Sequence, residues 1–137
     1  MTPDVVIIRA DGASRGNPGP AAIGVTITDH KGRRLATFSR CIGVTTNNRA
    51  EYQAVIVGLE EALRLGAKAI RLMTDSELVA RQISGRYRVR NPGIAPLHRK
   101  VMGLLARFRL WQVSHVDRAC NAEEDRLANQ ALDERVS

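Results

Sequence analysis

Apolar and β-branched residues occur in short runs along the first third of the chain, and turn residues separate the runs. Residues 5–10, 21–29 and 33–42 each have the composition of a β-strand. A Gly/Pro-rich segment at 16–20 and the turn at 30–32 join them, and connections this short favour antiparallel pairing. The pattern predicts a three-stranded antiparallel meander.

Apolar residues begin to recur at helical spacing from residue 48 onward. A long amphipathic helix is predicted over 48–65, with a Thr/Asn cluster before it and Gly66 to end it. The remaining predicted elements are a strand at 69–74, helices at 75–83 and 95–108, a strand at 110–116 and a last helix from about Ala122. Strand–helix–strand order implies parallel pairing. The sequence therefore predicts one α/β domain over residues 1–137, with a five-stranded mixed sheet flanked by helices.

Four acidic residues stand where the predicted elements would present them to the interior. Asp11 and Asp75 are at or near the ends of predicted strands, while Glu51 and Asp125 lead the apolar faces of predicted helices. Acids are rarely buried without a partner, and four that converge would repel one another. Divalent cations are the simplest compensation, and ligands that are all oxygen favour Mg²⁺ or Mn²⁺ over zinc. The pattern predicts a metal site.

Each of these acids also has an ordinary structural explanation. An Asp between a strand and a helix, as Asp75 is, commonly caps the helix, and an acid early in a helix, such as Glu51, is favoured by the helix dipole. Asp11 fits a turn before a glycine, and Asp125 fits a solvent-facing helix position beside Arg126. The four acids become specific only through the residues around them.

Those surrounding residues form four ordered motifs. They are Asp11-Gly12-Ala13-Ser14-Arg15-Gly16-Asn17-Pro18-Gly19-Pro20, Thr45-Thr46-Asn47-Asn48-Arg49-Ala50-Glu51, Thr74-Asp75-Ser76, and the segment 121–129. In this order and spacing they resemble type 1 ribonuclease H, from about Val5 to Leu132. The compact prokaryotic and archaeal branch is the most similar. It lacks the tryptophan-rich basic protrusion of some relatives, and Trp111 is the only tryptophan here.

The resemblance implies a ribonuclease H-like fold and an endonuclease that hydrolyses the RNA strand of RNA/DNA hybrids, leaving 5′-phosphate and 3′-hydroxyl ends. It also implies two Mg²⁺ ions, with Mn²⁺ as a substitute, roughly 4 Å apart. Asp11 would contact both ions. Glu51 and Asp75 would complete the ligands of one ion, and Asp125 those of the other.

The resemblance further implies contacts to the hybrid from residues beside the acids, namely Gly12, Ser14, Asn17, Asn47, Asn48 and Ser76. Amide side chains suit a 2′-hydroxyl, which both donates and accepts hydrogen bonds. Helix capping is the alternative role for Asn47 and Asn48. Arg86, Arg88 and Arg90 alternate along a stretch predicted to be extended, where they would face either phosphates or solvent.

Two residues are candidates for an auxiliary catalytic role. Counted back from Asp125, His115 stands where some bacterial members of the family keep a loop histidine that assists proton transfer and product release. In another branch that histidine is absent and an arginine substitutes, as Arg118 would here. We favour Arg118, because His115 is so close to the predicted strand that we expect it to point away from the site.

The charge balance agrees with a nucleic-acid partner. Lys and Arg total 21 against 14 acids, a net charge of +7, and assigning four acids to a metal site leaves the rest of the surface more basic still. Such a surface attracts a nucleic-acid backbone, although net charge also serves solubility and arginine content can follow genome composition. The predicted partner is an RNA/DNA hybrid, with double-stranded RNA as a second candidate and no obligate protein partner.

Cys41 and Cys120 fit no close-spaced metal pattern and predict reduced thiols in a cytoplasmic protein, with a disulfide as the alternative. No secretory segment follows Met1, and the apolar stretch at 54–59 is too short to span a bilayer. We therefore expect no association with a membrane.

Two other functions fit part of the pattern. A module that binds hybrids without cutting them would keep Asn17, Asn47 and the basic surface, but it would not need four acids. A nuclease of the same fold that resolves DNA or cuts double-stranded RNA would need the acids as well. The four acids argue against the binding module, and the asparagines favour the hybrid over the substrates of the other nucleases.

Overall fold

The computed structural model describes residues 4–135 of the chain. Within these residues, five strands form one sheet: β1 (Val5–Ser14), β2 (Gly19–Asp29), β3 (Arg34–Thr45), β4 (Ala69–Thr74) and β5 (Leu110–His115). They lie in the order β3-β2-β1-β4-β5. The first three pair antiparallel, whereas β4 is parallel to β1 and β5 is parallel to β4. The predicted mixed sheet is confirmed.

In the described part of the chain, four helices and one short 3-10 turn pack around this sheet. They are α1 (Asn47–Arg64), α2 (Glu77–Ile83), α3 (Ala95–Leu105), the turn Arg118–Asn121 and α4 (Ala122–Arg135). The main hydrophobic core fills the space between the sheet and the first three helices, and a smaller cluster lies beneath α4. Within residues 4–135, none of the helices is long and apolar enough to cross a membrane.

The first strand is longer than predicted, and this changes the position of Asp11. β1 continues to Ser14 because its pairing with β2 runs without a break as far as the Ser14–Ala21 pair. Asp11 therefore lies inside a strand, opposite Gly24, and the expectation that it ends a strand or occupies a turn is wrong. The strand supplies a rigid backbone on both sides of this carboxylate.

Two glycines let helices approach the sheet closely. A Cβ on Gly58 of α1 would lie 2.5 Å from a methyl of Ile8, and one on Gly24 would collide with the carbonyl oxygen of Glu124 in α4. A glycine inside a strand commonly marks such an approach. The first turn of α4 therefore lies directly over β2, beside the position of Asp11.

Both cysteines are exposed free thiols, so the structure contains no disulfide between them. Cys41 lies on β3, and its Sγ donates a hydrogen bond to the carbonyl of Ala131 at 3.1 Å. Cys120 is in the turn that precedes α4.

Candidate active site

Three carboxylates converge where the sheet meets the start of α1. Asp11, Glu51 and Asp75 each offer an oxygen within 4.8 Å of the others. The parallel register of β1 and β4 pairs Arg9 with Met73. Asp11 and Asp75 each follow two residues later, so they lie side by side. Glu51 reaches the same point from α1. Asp11 and Glu51 are both only 5% exposed, so the sheet and α1 together build a buried acidic cluster.

The carboxylates of this cluster disfavour one another's charge. Burial, followed by the negative charges of Glu51 and Asp75, holds the pKa of Asp11 far above its usual range. Burial also raises the pKa of Glu51, against the opposing effect of the Gly12 N–H. Among the described residues, Arg118 forms an ion pair with the cluster, with Nε 3.9 Å from Asp75 Oδ2, and its side chain is 91% exposed. An all-oxygen cluster with so little compensation fits a hard divalent cation.

Gly12 fixes the position of Glu51. Its backbone N–H donates a hydrogen bond to Glu51 Oε1. A Cβ at residue 12 would collide with the backbone of Ala50, so α1 can pack on β1 at this distance only if residue 12 is glycine. Two consecutive residues of β1 therefore serve the cluster, Asp11 as a member and Gly12 as the support of another member.

Asp125 lines the same cavity as the three converging acids, at its margin. It is half-buried in the first turn of α4, and Asn129 Nδ2 donates to its carbonyl oxygen at 2.9 Å and to its Oδ1 at 3.3 Å. Asp125 also contributes to the raised pKa of Asp11. The structure thus brings together all four acids that the sequence singles out.

The acid that faces the sheet from α4 is Glu124. It is 1% exposed and accepts a hydrogen bond from Thr26 Oγ1 at 2.8 Å. The sequence predicted that Asp125 leads the apolar face of this helix, and that prediction is wrong by one residue, because Glu124 has this position. The close contact at Gly24 turns Glu124 toward β2, in line with the buried Ala128, and leaves Asp125 beside the cavity.

Helix capping does not explain the position of Asp75, and the helix dipole does not explain the position of Glu51. Ser76 caps α2, since its Oγ accepts from the Val79 N–H at 3.2 Å, so Asp75 does not cap the helix. Thr46 caps α1 by accepting from the Arg49 N–H at 3.3 Å, and Glu51 lies beyond the first turn of α1, which contains no acid. Neither carboxylate is placed by helix capping or by the helix dipole.

The acidic cavity has a volume of about 250 Å³ and is also lined by polar residues predicted to contact substrate. Gly12, Asn47 and Ser76 belong to its lining. Asn17 adjoins it, because Asn17 Oδ1 accepts from the backbone N–H of Asn47 at 2.9 Å. Since Thr46 is the cap of α1, capping does not explain Asn47.

Two of the predicted contact residues stand apart from this cavity. Asn48 is exposed and does not line it. Ser14 ends β1, and its Oγ is buried without a hydrogen-bond partner among the described residues. Their predicted contacts to a substrate stay predictions.

Arg118 and His115 face different cavities. Arg118 lines the acidic cavity beside Asp75. His115 is the last residue of β5 and lines a separate cavity, together with Arg81 and Arg86. This placement supports the preference for Arg118 as the auxiliary residue, although its catalytic role stays a prediction.

Asn121 is a positioning residue to which sequence reasoning gave no role. It is fully buried, and its Nδ2 donates to the carbonyl of Ala10 at 2.9 Å. This bond ties the start of α4 to β1 directly before Asp11. Gly24 has the complementary role on β2, and a glycine within an otherwise apolar strand is the signal that could have revealed it.

Comparison with known proteins identifies related chains over most of this length. The family model described as reverse transcriptase-like matches residues 9–131. The bifunctional protein Rv2228c of Mycobacterium tuberculosis is 45% identical over 130 residues, which are 93% of this chain and 35% of that protein. Ribonuclease HI of Halobacterium salinarum is 44% identical over 124 residues, which are 90% of this chain and 62% of that enzyme. The chain thus spans about a third of the first relative and less than two thirds of the second.

A solved structure is similar over nearly the whole fold. LC11-RNase H1, crystallised in complex with an RNA/DNA hybrid, has a TM-score of 0.91 and 42% identity, covering 96% of this chain and 99% of that one. The resemblance predicted from the four motifs is therefore confirmed, and so is the fold that it implied.

Proposed function

Since the chain belongs to the reverse transcriptase-like family and carries a ribonuclease H domain, we propose that it is an endonuclease that hydrolyses the RNA strand of RNA/DNA hybrids. The products are 5′-phosphate and 3′-hydroxyl ends. The observation that carries the proposal is the buried convergence of Asp11, Glu51 and Asp75, with Asp125 at the margin of the same cavity.

The four carboxylates are proposed to hold two Mg²⁺ ions, for which Mn²⁺ can substitute. Asp11, Glu51 and Asp75 would hold them together with Asp125 at the margin of the cavity, and Asp11 would serve both. When bound, the ions would supply activation of a water and stabilisation of the leaving 3′ oxygen in an in-line displacement. The Gly12 N–H keeps the Glu51 carboxylate aimed at the cluster.

The residues of the cavity favour direct attack by water over a covalent intermediate. Ser76 is the only hydroxyl-bearing residue of its lining among residues 4–135, and its Oγ is engaged as the cap of α2. None of the described histidines or lysines lines the cavity to activate it. The described residues of the cavity therefore bind the phosphodiester and orient the acids, and none of them serves as the nucleophile.

The hybrid is supported as substrate by the side chains beside the acids and by the structural neighbour. Asn47 and Ser76 offer an amide and a hydroxyl at the cavity, which suit a 2′-hydroxyl in the wide minor groove of an A-like duplex. LC11-RNase H1 was solved with such a hybrid bound. We also propose that the protein is cytoplasmic and that it acts without an obligate protein partner.

A cleavage assay tests the proposal on three duplexes: hybrid, double-stranded RNA and double-stranded DNA, each with and without Mg²⁺. We expect endonucleolytic cuts in the RNA strand of the hybrid only with the metal, and a complete stop in excess chelator. Cutting that persists in chelator, or cleavage of the DNA strand at a comparable rate, contradicts the proposal. The arm with double-stranded RNA defines the substrate range.

A matched pair of variants on α1 provides the control. Glu51→Gln removes a carboxylate of the cluster, whereas Glu60→Gln makes the same chemical change at an exposed position of the same helix. We expect the first to abolish cleavage and the second to retain it. An equal loss of cleavage in both variants would show that the substitutions act by disturbing α1 and not by removing a carboxylate of the cluster.

A further inference from the structure

A second cavity, of about 220 Å³, lies between α2 and β5, next to the acidic one. Its lining includes Arg81, Ser84, Arg86 and His115, and no acid. We propose that this cavity binds a backbone phosphate of the nucleic-acid duplex close to the site of cleavage. The inference rests on the proposed function, because it assumes that the duplex lies across the acidic cluster.

The turn after α2 brings two cations to this cavity. The backbone N–H groups of Arg86 and Tyr87 both donate to the carbonyl of Arg81, at 2.8 and 3.1 Å. Gly85 has φ +83°, a conformation that glycine adopts at little cost, and it lets the chain fold back at the end of the helix. Arg86 is therefore held beside the last turn of α2, next to Arg81.

Arg81 is oriented and still has free donors. Its Nε donates to Glu77 Oε1 at 2.8 Å, and its guanidinium carbon lies 5.5 Å from the centre of the Tyr87 ring. A guanidinium has five N–H donors in a rigid fork that suits phosphate. The other donors of Arg81 have no partner within residues 4–135, so the side chain is held in place with capacity to bind an anion.

The charges around the cavity favour an anion. Glu77 offsets part of the charge of Arg81, whereas Arg86 is exposed and forms no ion pair with any described residue. His115 faces the same space from β5. A volume of 220 Å³ exceeds the roughly 30 Å³ share of one water molecule several times, so a phosphodiester group fits.

The position of the cavity matches a duplex bound at the acids. His115 pairs with Thr74 across β4 and β5, and Asp75 follows Thr74 directly. Neighbouring strands lie about 4.8 Å apart. Each strand of a duplex carries a phosphate about every 3.4 Å along the axis, so phosphates a few nucleotides from the scissile bond are within reach of the cavity.

The test compares two double variants of equal charge. One is Arg81→Gln with Arg86→Gln, and the control is Arg107→Gln with Arg109→Gln, which removes two exposed arginines before the opposite end of β5. Hybrid binding is followed by fluorescence anisotropy over a range of salt concentrations, and cleavage by KM and kcat. Thermal unfolding confirms that each variant is folded.

We expect the cavity variant to raise Kd and KM about tenfold with kcat within twofold of the parent. We also expect the slope of log Kd against log salt to flatten by roughly 0.7 to 0.9 for each phosphate that the variant no longer neutralises. Arg86→Lys should keep most of the affinity. An unchanged salt slope and KM, or the same change in the control variant, would overturn the proposal.

The readout separates this inference from the proposed function. If the parent protein binds hybrid but does not cut it, the proposed activity fails while the anisotropy comparison still decides whether the cavity binds phosphate. If kcat falls in the cavity variant at unchanged KM, these residues act on the chemical step and the binding proposal is wrong.

Discussion

Asp29 and Asp11 are both 5% exposed, yet their surroundings are opposite. Asp29 ends β2 and accepts three hydrogen bonds, from the N–H groups of Lys31 and Arg33 at 2.9 Å each and from Arg33 Nε at 2.7 Å. These donors lower its pKa. Asp11 faces other carboxylates, and its pKa is raised. Burial alone therefore does not distinguish a structural acid from a functional one, whereas the charge and donors around it do.

Glu124 lies between these two cases. Burial raises its pKa, the hydrogen bond from Thr26 opposes that effect, and its Oε1 has no partner among the described residues. Glu124 contacts the sheet and does not line the acidic cavity. The Thr26 hydrogen bond accompanies Glu124 at the interface between α4 and the sheet without overcoming the effect of burial, whereas the donors around Asp29 favour its charge.

The largest expected effect comes from Asp11→Asn, which should lower kcat by several orders of magnitude while hybrid affinity stays nearly unchanged, because the cluster loses the carboxylate that both proposed ions would need. Asp29→Asn should leave kcat near the parent value. Single-turnover cleavage and anisotropy measure both. If Asp29→Asn lost as much turnover at unchanged stability, the distinction between the two acids would collapse.

Arg118, beside the acidic cluster, and Arg33, beside Asp29, should differ in the same way. Arg118→Ala should lower kcat about tenfold, equivalent to about 1.4 kcal/mol, with a smaller effect on KM, because Arg118 reaches the cavity at Asp75. Because a guanidinium stays charged in proteins, Arg118 acts as a permanent cation and not as a proton shuttle. Arg33→Ala should affect unfolding only.

Steady-state kinetics of Arg118→Ala and His115→Ala decide between the two auxiliary candidates. We expect His115→Ala to change KM or stability more than kcat. A larger loss of kcat in His115→Ala than in Arg118→Ala would place the chain with the histidine-assisted members of the family.

In metal-free protein the two Asp→Asn changes should shift stability in opposite directions. Asp11→Asn should raise the free energy of unfolding by on the order of 1 kcal/mol, since each unit of raised pKa corresponds to about 1.4 kcal/mol of disfavoured charge. Asp29→Asn should lower it, because an amide cannot accept all three bonds. Chemical denaturation in chelator measures both, and a drop in Asp11→Asn would show that the cluster is not crowded.

The smallest expected effect is on the pH dependence of stability. Because the pKa of Asp11 and of Glu51 is raised in the folded state, their protonated forms favour folding, and this contribution is lost as pH rises above the ordinary carboxyl range of about 4. The lowered pKa of Asp29 acts in the opposite sense: its contribution is present above that range and is lost as pH falls below it. The benefit of Asp11→Asn should therefore grow from pH 5 to pH 8, and Mg²⁺ should remove it. A benefit that stays constant over this range would contradict the raised pKa.

Much of the fold could be predicted from the sequence, because its strands and helices have clear apolar periods. The limits of β4 agree with the prediction, and α1 begins one residue before its predicted start. The extension of β1 could not be predicted. Gly12 and Ser14 have the composition of a turn, and only the distant pairing with β2 keeps them in the strand.

The site was predictable as a set of residues, but not in its details. A stripe over Ala128 and Leu132 fits a helix led by Asp125 as well as one led by Glu124, so only the contact with Gly24 reveals which acid faces the sheet. The cavity at His115 joins residues from α2, the turn after it and β5. No local pattern contains that information.

The arrangement of Asp11 and Gly12 makes the acidic cluster depend on the register of β1 in the sheet. Slippage of β1 by a single residue would carry the carboxylate out of the cluster and bring a side chain against the backbone of Ala50. A molecule whose sheet forms out of register thus loses the acidic cluster as well as stability. Errors in folding would then abolish the proposed activity and would not relax its specificity.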